Sequence, residues 1–271
     1  MQLMTSAALA LFGVAETVCA PDIGKHFEGT QGAFVLYDLG RGQFTRLNEP
    51  RCRERFSPFS TFKIPNSLIG LETGAVADAG TVIAWDRVKY PLPSLTKEPF
   101  VQWARDHTLQ SAFTNSVVWY YRELAQRVGE AKMKRYVDAF HYGNQDTSGG
   151  LNSRELFDAF WLESSLTISA NEQVEFLKAF YTGKLPVSER ATRIVKEIMV
   201  RERGDGWILS GKTGGGSVGP GRSLGWFVGY LERGGDVYIF ATNIDGPSFQ
   251  SIREKRIDVT KGILRALGLL P

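Results

Sequence analysis

Strand patterns stand near the two ends of this chain, and nearly everything between them is patterned for helix. Residues 33–38 alternate apolar and polar, residues 40–42 turn, and 43–47 return, which reads as a hairpin. Strand character comes back only at 207–212, 225–232 and 237–244, followed by a final helix over 249–267. Between these ends, apolar spacing predicts helices over 60–74, 101–105, 115–128, 132–139, 169–181 and 189–200. Strands so far apart in sequence find partners by forming one antiparallel sheet, with the helices inserted as a second lobe. The expected fold class is therefore mixed α+β: an antiparallel sheet flanked by terminal helices plus an inserted helical domain. Residues 21–57 and 207–271 form the sheet lobe in this reading, and 58–206 a mainly helical lobe. With 271 residues, 43% of them hydrophobic, the chain can bury one large core or two lobes sharing one.

The net charge is +3 with acids and bases interspersed, and no polybasic run occurs, so nucleic acid and membrane surfaces are poor partners. A small anionic substrate needs only one or two well-placed cations. Residues 1–20 carry a short apolar run, 7–14, leading to Val18-Cys19-Ala20, a pattern that predicts a signal peptide and export to the periplasm, although its first residues hold no Lys or Arg. The competing reading is a buried N-terminal helix; the run is too short to span a bilayer. Cleavage would remove Cys19 and leave Cys52 alone, without an intramolecular disulfide. Cys52, flanked by Arg51 and Arg53, reads as a bystander more readily than as an activated thiolate. His26, His107 and His141 are isolated and give no metal signature, so no metal is expected.

Several short motifs match by chance. GWILSGKT (206–213) satisfies the phosphate-loop pattern, but its residues read as a strand and a glycine run follows where a helix is required. GGSVG (215–219) satisfies G-x-S-x-G, yet no helix follows and all three histidines precede Ser217, which excludes the usual order of a serine hydrolase triad. S-x-x-K occurs twice. Ser94 to Lys97 lies in a proline-bounded loop. Ser60 to Lys63 must open a helix, because Pro65 lacks an N–H and is tolerated only in a first turn. There the two side chains share a face, the free N–H groups and positive dipole end favour a developing oxyanion, and Ser67, Gly70 and Gly74 leave room for a close neighbour. The alternative is a Lys63 that snorkels to water beside an ordinary packed helix.

Read together, Ser60-Thr61-Phe62-Lys63, Ser116-Val117-Val118, Tyr142-Gly143-Asn144, Trp161-Leu162 and Lys212-Thr213-Gly214 resemble, in order and spacing, the class D (oxacillinase-type) β-lactamases, from about Ser57 to Arg253. The resemblance implies hydrolysis of penicillins and related β-lactams through a Ser60 acyl-enzyme, with the site in a cleft between the two lobes. It implies Lys63 as general base, Ser116 as proton relay to the departing ring nitrogen, and Lys212 and Thr213 on the opposite wall. Arg253 matches the clamp on the substrate carboxylate, with neighbouring Arg256 as the alternative, and the N–H groups of Ser60 and Gly215 form the oxyanion hole. A serine hydroxyl needs a base, and an ordinary lysine is protonated. Burial beside Phe62, Val118, Trp161 and Leu162 favours the neutral amine. The family is known for a carbamate on this lysine, formed from carbon dioxide and needing no separate cofactor; the indole N–H of Trp161 is a donor it would use. Glu163 opens E-S-S-L, similar to the deacylating glutamate of class A enzymes, but Thr167 stands where that pattern has asparagine, so a structural carboxylate is expected. Tyr142-Gly143-Asn144 is expected to shape the cleft. The rival function is a penicillin-binding or sensor domain that is acylated without turnover. Substrate spectrum and the choice between monomer and homodimer stay open.

Overall fold

The computed structural model describes residues 22–151 and 156–271; the predicted signal peptide lies outside the described residues. Strands β1 (Gly32–Asp38) and β2 (Gln43–Leu47) form the expected hairpin, and helix α1 (Glu49–Arg53) follows. A 3-10 turn, Phe59–Phe62, then runs directly into α2 (Lys63–Glu72). The rest of the helical lobe holds α3 (Phe100–Trp103), α4 (Leu109–Thr114), α5 (Val118–Val128) and α6 (Glu130–Ala139). A two-stranded ribbon, β3 (Val82–Ile83) with β4 (His107–Thr108), ties down the segment between α2 and α4. Then come α7 (Ala170–Tyr181), α8 (Glu189–Ile198), β5 (Val200–Gly204), β6 (Trp207–Ser217), β7 (Ser223–Arg233), β8 (Asp236–Gly246), α9 (Phe249–Ile252) and α10 (Lys255–Ala266).

The six-stranded sheet has the order β2-β1-β8-β7-β6-β5, with every neighbouring pair antiparallel, so strands from the two ends of the chain meet where β1 pairs with β8. The expected α+β class is the observed one. Alternation in the strands builds two cores. Ala33, Val35, Trp226, Val228, Tyr230 and Ile239 point into the core shared with the helical lobe. Phe34, Phe227, Leu231 and Phe240 point to the opposite face, where α10 supplies Val259, Ile263 and Leu264. A central strand buried on both faces carries a near-continuous apolar run, and β7, SLGWFVGYL, is buried through its first nine residues.

Three boundaries differ from the sequence reading. Residues Val200–Gly204 belong to the sheet, so the sheet lobe begins before 207; as a half-exposed edge strand with a bulge, VRERG has no alternation to reveal it. The helix predicted over 115–128 starts only at Val118, because Ser116 takes φ +55° and breaks the chain between α4 and α5. The final helix is split into α9 and α10 at Arg253 and Glu254. By contrast, α7 starts where Ser169 predicts, with Ser169 and Glu172 forming a capping box. The small-residue stripe on α2 also does what its sequence suggests: a Cβ on Gly70 would stand 2.8 Å from Leu124, so only glycine lets α5 approach this closely.

Candidate active site

The turn before α2 determines the geometry of the Ser60–Lys63 pair. A 3-10 turn has three residues per turn, so side chains three apart eclipse one another. Ser60 and Lys63 accordingly meet, with Lys63 Nζ donating to Ser60 Oγ at 2.7 Å. Lys63 is only 1% exposed. Burial alone pushes its amine down to about 7, since no carboxylate pairs with it among the described residues. Next to Lys63 in the chain, Phe62 stacks on Trp161 at 5.3 Å between centroids, and Phe160 and Tyr142 meet Phe62 edge-on at 5.2 and 5.6 Å. The Tyr121 ring lies 5.2 Å from Lys63 Nζ. Its hydroxyl is held 2.8 Å from Ser67 Oγ, which in turn bonds the Lys63 carbonyl.

A second lysine–serine pair faces the first. Lys212, 2% exposed in β6, donates to Ser116 Oγ and to the Thr213 carbonyl, each at 3.0 Å. Burial is the largest cause that holds its amine well below the usual lysine range, and the like charges of Lys63, Arg201 and Arg256 add to it. Glycines bring this strand against the 59–62 turn. A Cβ on Gly214 would fall 2.8 Å from the Pro58 carbonyl, and one on Gly216 would fall 2.4 Å from the Phe59 ring. Ser60, Ser116, Val118, Leu162, Thr213 and Gly215 all line one cavity of about 910 Å³. Phe100, Trp103 and Phe157 form its aromatic end, with ring centroids 5.4 to 6.4 Å apart.

Comparison with known proteins agrees with this geometry. The penicillin binding protein transpeptidase domain family matches residues 29–267. The chain is 41% identical over 249 residues to the probable β-lactamase YbxI of Bacillus subtilis strain 168, covering 92% of this chain and 85% of that one. It is 37% identical to the β-lactamase OXA-48 of Klebsiella pneumoniae, covering 98% of each. A solved class D β-lactamase from Nostoc superimposes with a TM-score of 0.82 at 38% identity, covering 92% of this chain and all of the other. The chain belongs to the class D β-lactamases.

Within this class D β-lactamase, the two arginines expected near the cavity sit in different settings. Arg253, expected as the carboxylate clamp, stands at the cavity rim, 43% exposed on its side chain and paired with Glu254 at 3.3 Å. Arg256 is the arginine seated against the Lys212-Thr213-Gly214 strand. It is 6% exposed, its Nη1 donates to the Gly214 carbonyl, and its Nε is buried with no partner among the described residues. Burial lowers its pKa to about 10, which leaves it charged at neutral pH. The break before α10 accounts for the difference in burial between the two arginines. Arg253 sits outside regular helix, whereas Arg256 lies in the first turn of α10 and faces β6 and β7.

Other residues hold the site without entering its chemistry. Asn144 staples the loop that carries Trp161: its side chain donates to the Ser165 carbonyl at 2.8 Å and accepts from the Thr167 amide at 3.0 Å. Gly143, at φ +56°, has no room for a Cβ beside the Thr167 carbonyl. The Ser57 hydroxyl donates to the Trp161 carbonyl at 3.0 Å and accepts from the Glu163 amide at 3.2 Å, a role no motif disclosed. Glu163 uses its carboxylate to accept the Ser217 amide at 2.9 Å, tying this loop to the end of β6. Cys52 is buried and inert: burial pushes its thiol up to about 11, and its Sγ lies near the carbonyls of Phe34 and Leu47.

Proposed function

We propose that this class D β-lactamase hydrolyses penicillins and related β-lactams through an acyl-enzyme on Ser60, with Lys63 as the base in both halves of the reaction. The observation that carries this reading is the 2.7 Å contact between Ser60 Oγ and an amine whose burial brings it to about 7. Lys63 takes the hydroxyl proton, Ser60 Oγ bonds to the lactam carbonyl carbon, and the N–H groups of Ser60 and Gly215 hold the resulting oxyanion. One such donor contributes about 3 to 4 kcal/mol of transition-state stabilisation. When the ring C–N bond breaks, the nitrogen takes the Ser116 proton, and Lys212, bonded to that hydroxyl, replaces it. Once the first proton has passed from Lys63 back to the Ser116–Lys212 pair, water loses a proton to the neutral Lys63 amine and bonds to the ester carbon, and that proton goes on to Ser60 Oγ as its C–O bond breaks. Arg256 anchors the substrate carboxylate, because its guanidinium is buried beside Gly214 and retains an unused donor.

The surroundings of Lys63 also fit carbamylation. A neutral amine combines with carbon dioxide and releases one proton, and burial disfavours the competing ammonium. The carbamate would supply an anionic base that accepts from Ser60 and from the indole N–H of Trp161, whose ring is buried and stacked on Phe62. We also infer that residues 1–20 direct export to the periplasm. Intact mass against time after mixing with benzylpenicillin in bicarbonate buffer tests the central reading. A transient adduct that decays as penicilloate accumulates is expected, absent in Ser60→Ala; a persistent stoichiometric adduct instead identifies a penicillin-binding or sensor domain. Decarbonation at low pH should lower activity until bicarbonate is restored, and indifference to bicarbonate removes the carbamate from the mechanism.

A further inference from the structure

One cation in the cavity wall has no part in the steps above. Arg201 lies in β5 at the bulge between Val200 and Glu202, where the ladder to β6 slips by one residue. A bulge re-aims a side chain, and such bulges gather next to active sites. Here Arg201 lines the same cavity as Arg256 and Ile257, with its guanidinium 5.5 Å from the Phe227 ring. Glu202 and Glu254 act on its charge without pairing with it, and Glu202 is itself paired with Lys261 at 2.7 Å. Glu254 is paired with Arg253, Glu163 is bonded to the Ser217 amide, and Glu98 holds Gln102 at the aromatic end. Arg201 and Arg256 have no ion-pair partner among the described residues, and Lys212 adds a third nitrogen behind them. Burial is the largest cause that lowers Lys212 and Arg256; the Arg201 charge adds to it at both, and Arg256 adds to it at Lys212, while Glu254 works the other way at Arg256. This end of the cavity therefore holds more positive charge than one carboxylate balances.

We propose that Arg201 is a specificity-determining residue that, beside Arg256, forms a two-guanidinium subsite for β-lactams carrying a second anionic group next to the ring carboxylate. This rests on the reading of Arg256 as the carboxylate anchor. In a penicillin the carbon beside the carboxylate-bearing carbon holds two methyl groups. In a cephalosporin the corresponding ring carbon holds an arm, which is where a second acid falls within reach of Arg201.

The test uses two mandelamido cephalosporins whose tetrazolylthiomethyl arms end in methyl or in sulfomethyl, so that only the charge of the arm differs. Second-order acylation rates are read by intact mass, and the ratio within each protein cancels any loss of folded enzyme. The wild type should favour the sulfonate by roughly fivefold at low salt, the scale of one partly exposed ion pair. The preference should shrink at high ionic strength, fall to about unity in Arg201→Gln and return in part in Arg201→Lys. An equal ratio in wild type and Arg201→Gln, or a wild type that favours the neutral arm, overturns the proposal alone when benzylpenicillin is still turned over. A wild type that forms no adduct with any β-lactam overturns the reading of the whole site as well.

Discussion

Lys63 and Lys212 are both buried, each donates to a serine hydroxyl, and each has an amine held below its ordinary range, but for different reasons. Lys63 stands at the start of a helix among rings and aliphatic side chains, and desolvation is the only cause of its shift. Lys212 stands in a central strand near two arginines and Lys63, so like charge adds to desolvation. A shift caused by burial is a fixed property of the fold. A shift caused by neighbouring cations is relieved when an anion arrives. On the proposed mechanism, a substrate carboxylate at Arg256 would offset the part of the Lys212 shift that like charge adds to burial, favouring the ammonium form when the leaving nitrogen needs a proton. On the proposed mechanism two chemically identical side chains serve as base and acid on the same catalytic cycle, the separation that paired acid–base sites require.

The largest expected effect follows from that division. Lys63→Ala removes the base from both acylation and deacylation and should lower kcat/KM for benzylpenicillin by about 10⁴-fold, the upper end for a positioned acid or base. Lys212→Ala removes a proton source used in one half-reaction and should cost about 10²-fold. Steady-state kinetics on the two variants decide the matter, and a larger loss at Lys212 would invert the assignment.

Stability separates the lysines next. The unfolded chain protonates Lys63 near its ordinary value of 10.5, whereas the folded protein resists until about 7. Between those values the unfolded state binds more protons, so stability falls as pH drops from about 10 to 7 and levels off below. Lys63→Met keeps the bulk, removes the ionisable group and should unfold with a flatter pH dependence. At pH 7 in carbon dioxide-free buffer it should be more stable than the wild type by on the order of a few kcal/mol. Urea melts across this range test it; a variant less stable than the wild type at pH 7 would show that the Ser60 contact outweighs desolvation.

What the chain disclosed before folding was the set of groups that need a particular local geometry. Pro65 pinned Ser60 and Lys63 to a helix opening, and the folded turn eclipses them as that placement requires. Ser169 marked the start of α7, and the small residues of α2 signalled a close neighbour, which is α5 at Gly70. Groups that act through tertiary contact were silent. Ser57 clamps a loop more than a hundred residues away, and no local pattern signals that contact. Ser116 reads as helical from its apolar neighbours, yet it occupies a left-handed turn imposed by the packing of α4 and α5. The different settings of Arg253 and Arg256 have the same origin: a local match of Ile252-Arg253 says nothing about where the final helix breaks. Edge strand β5 was invisible because its charged faces carry no period, and Arg201 went unnoticed with it.

Arg201 supplies the smallest and most discriminating test of the two-lysine comparison. Its charge is among the causes that lower Lys212 and is absent from the causes that lower Lys63. Replacing it with glutamine removes a like charge from Lys212 and should move that amine's titration upward, toward the ordinary lysine range. Lys63, governed by desolvation alone, should not move. The two amines are distinguishable by NMR of lysine labelled with ¹³C at Cε, with Lys63→Ala and Lys212→Ala assigning the signals. High salt should move Lys212 in the same direction as the substitution, because counterions screen the charge that the substitution deletes, while a desolvation shift is insensitive to ions that never reach the site. Equal movement of both lysines in Arg201→Gln would mean that they share one field after all, and that their different roles arise from position alone.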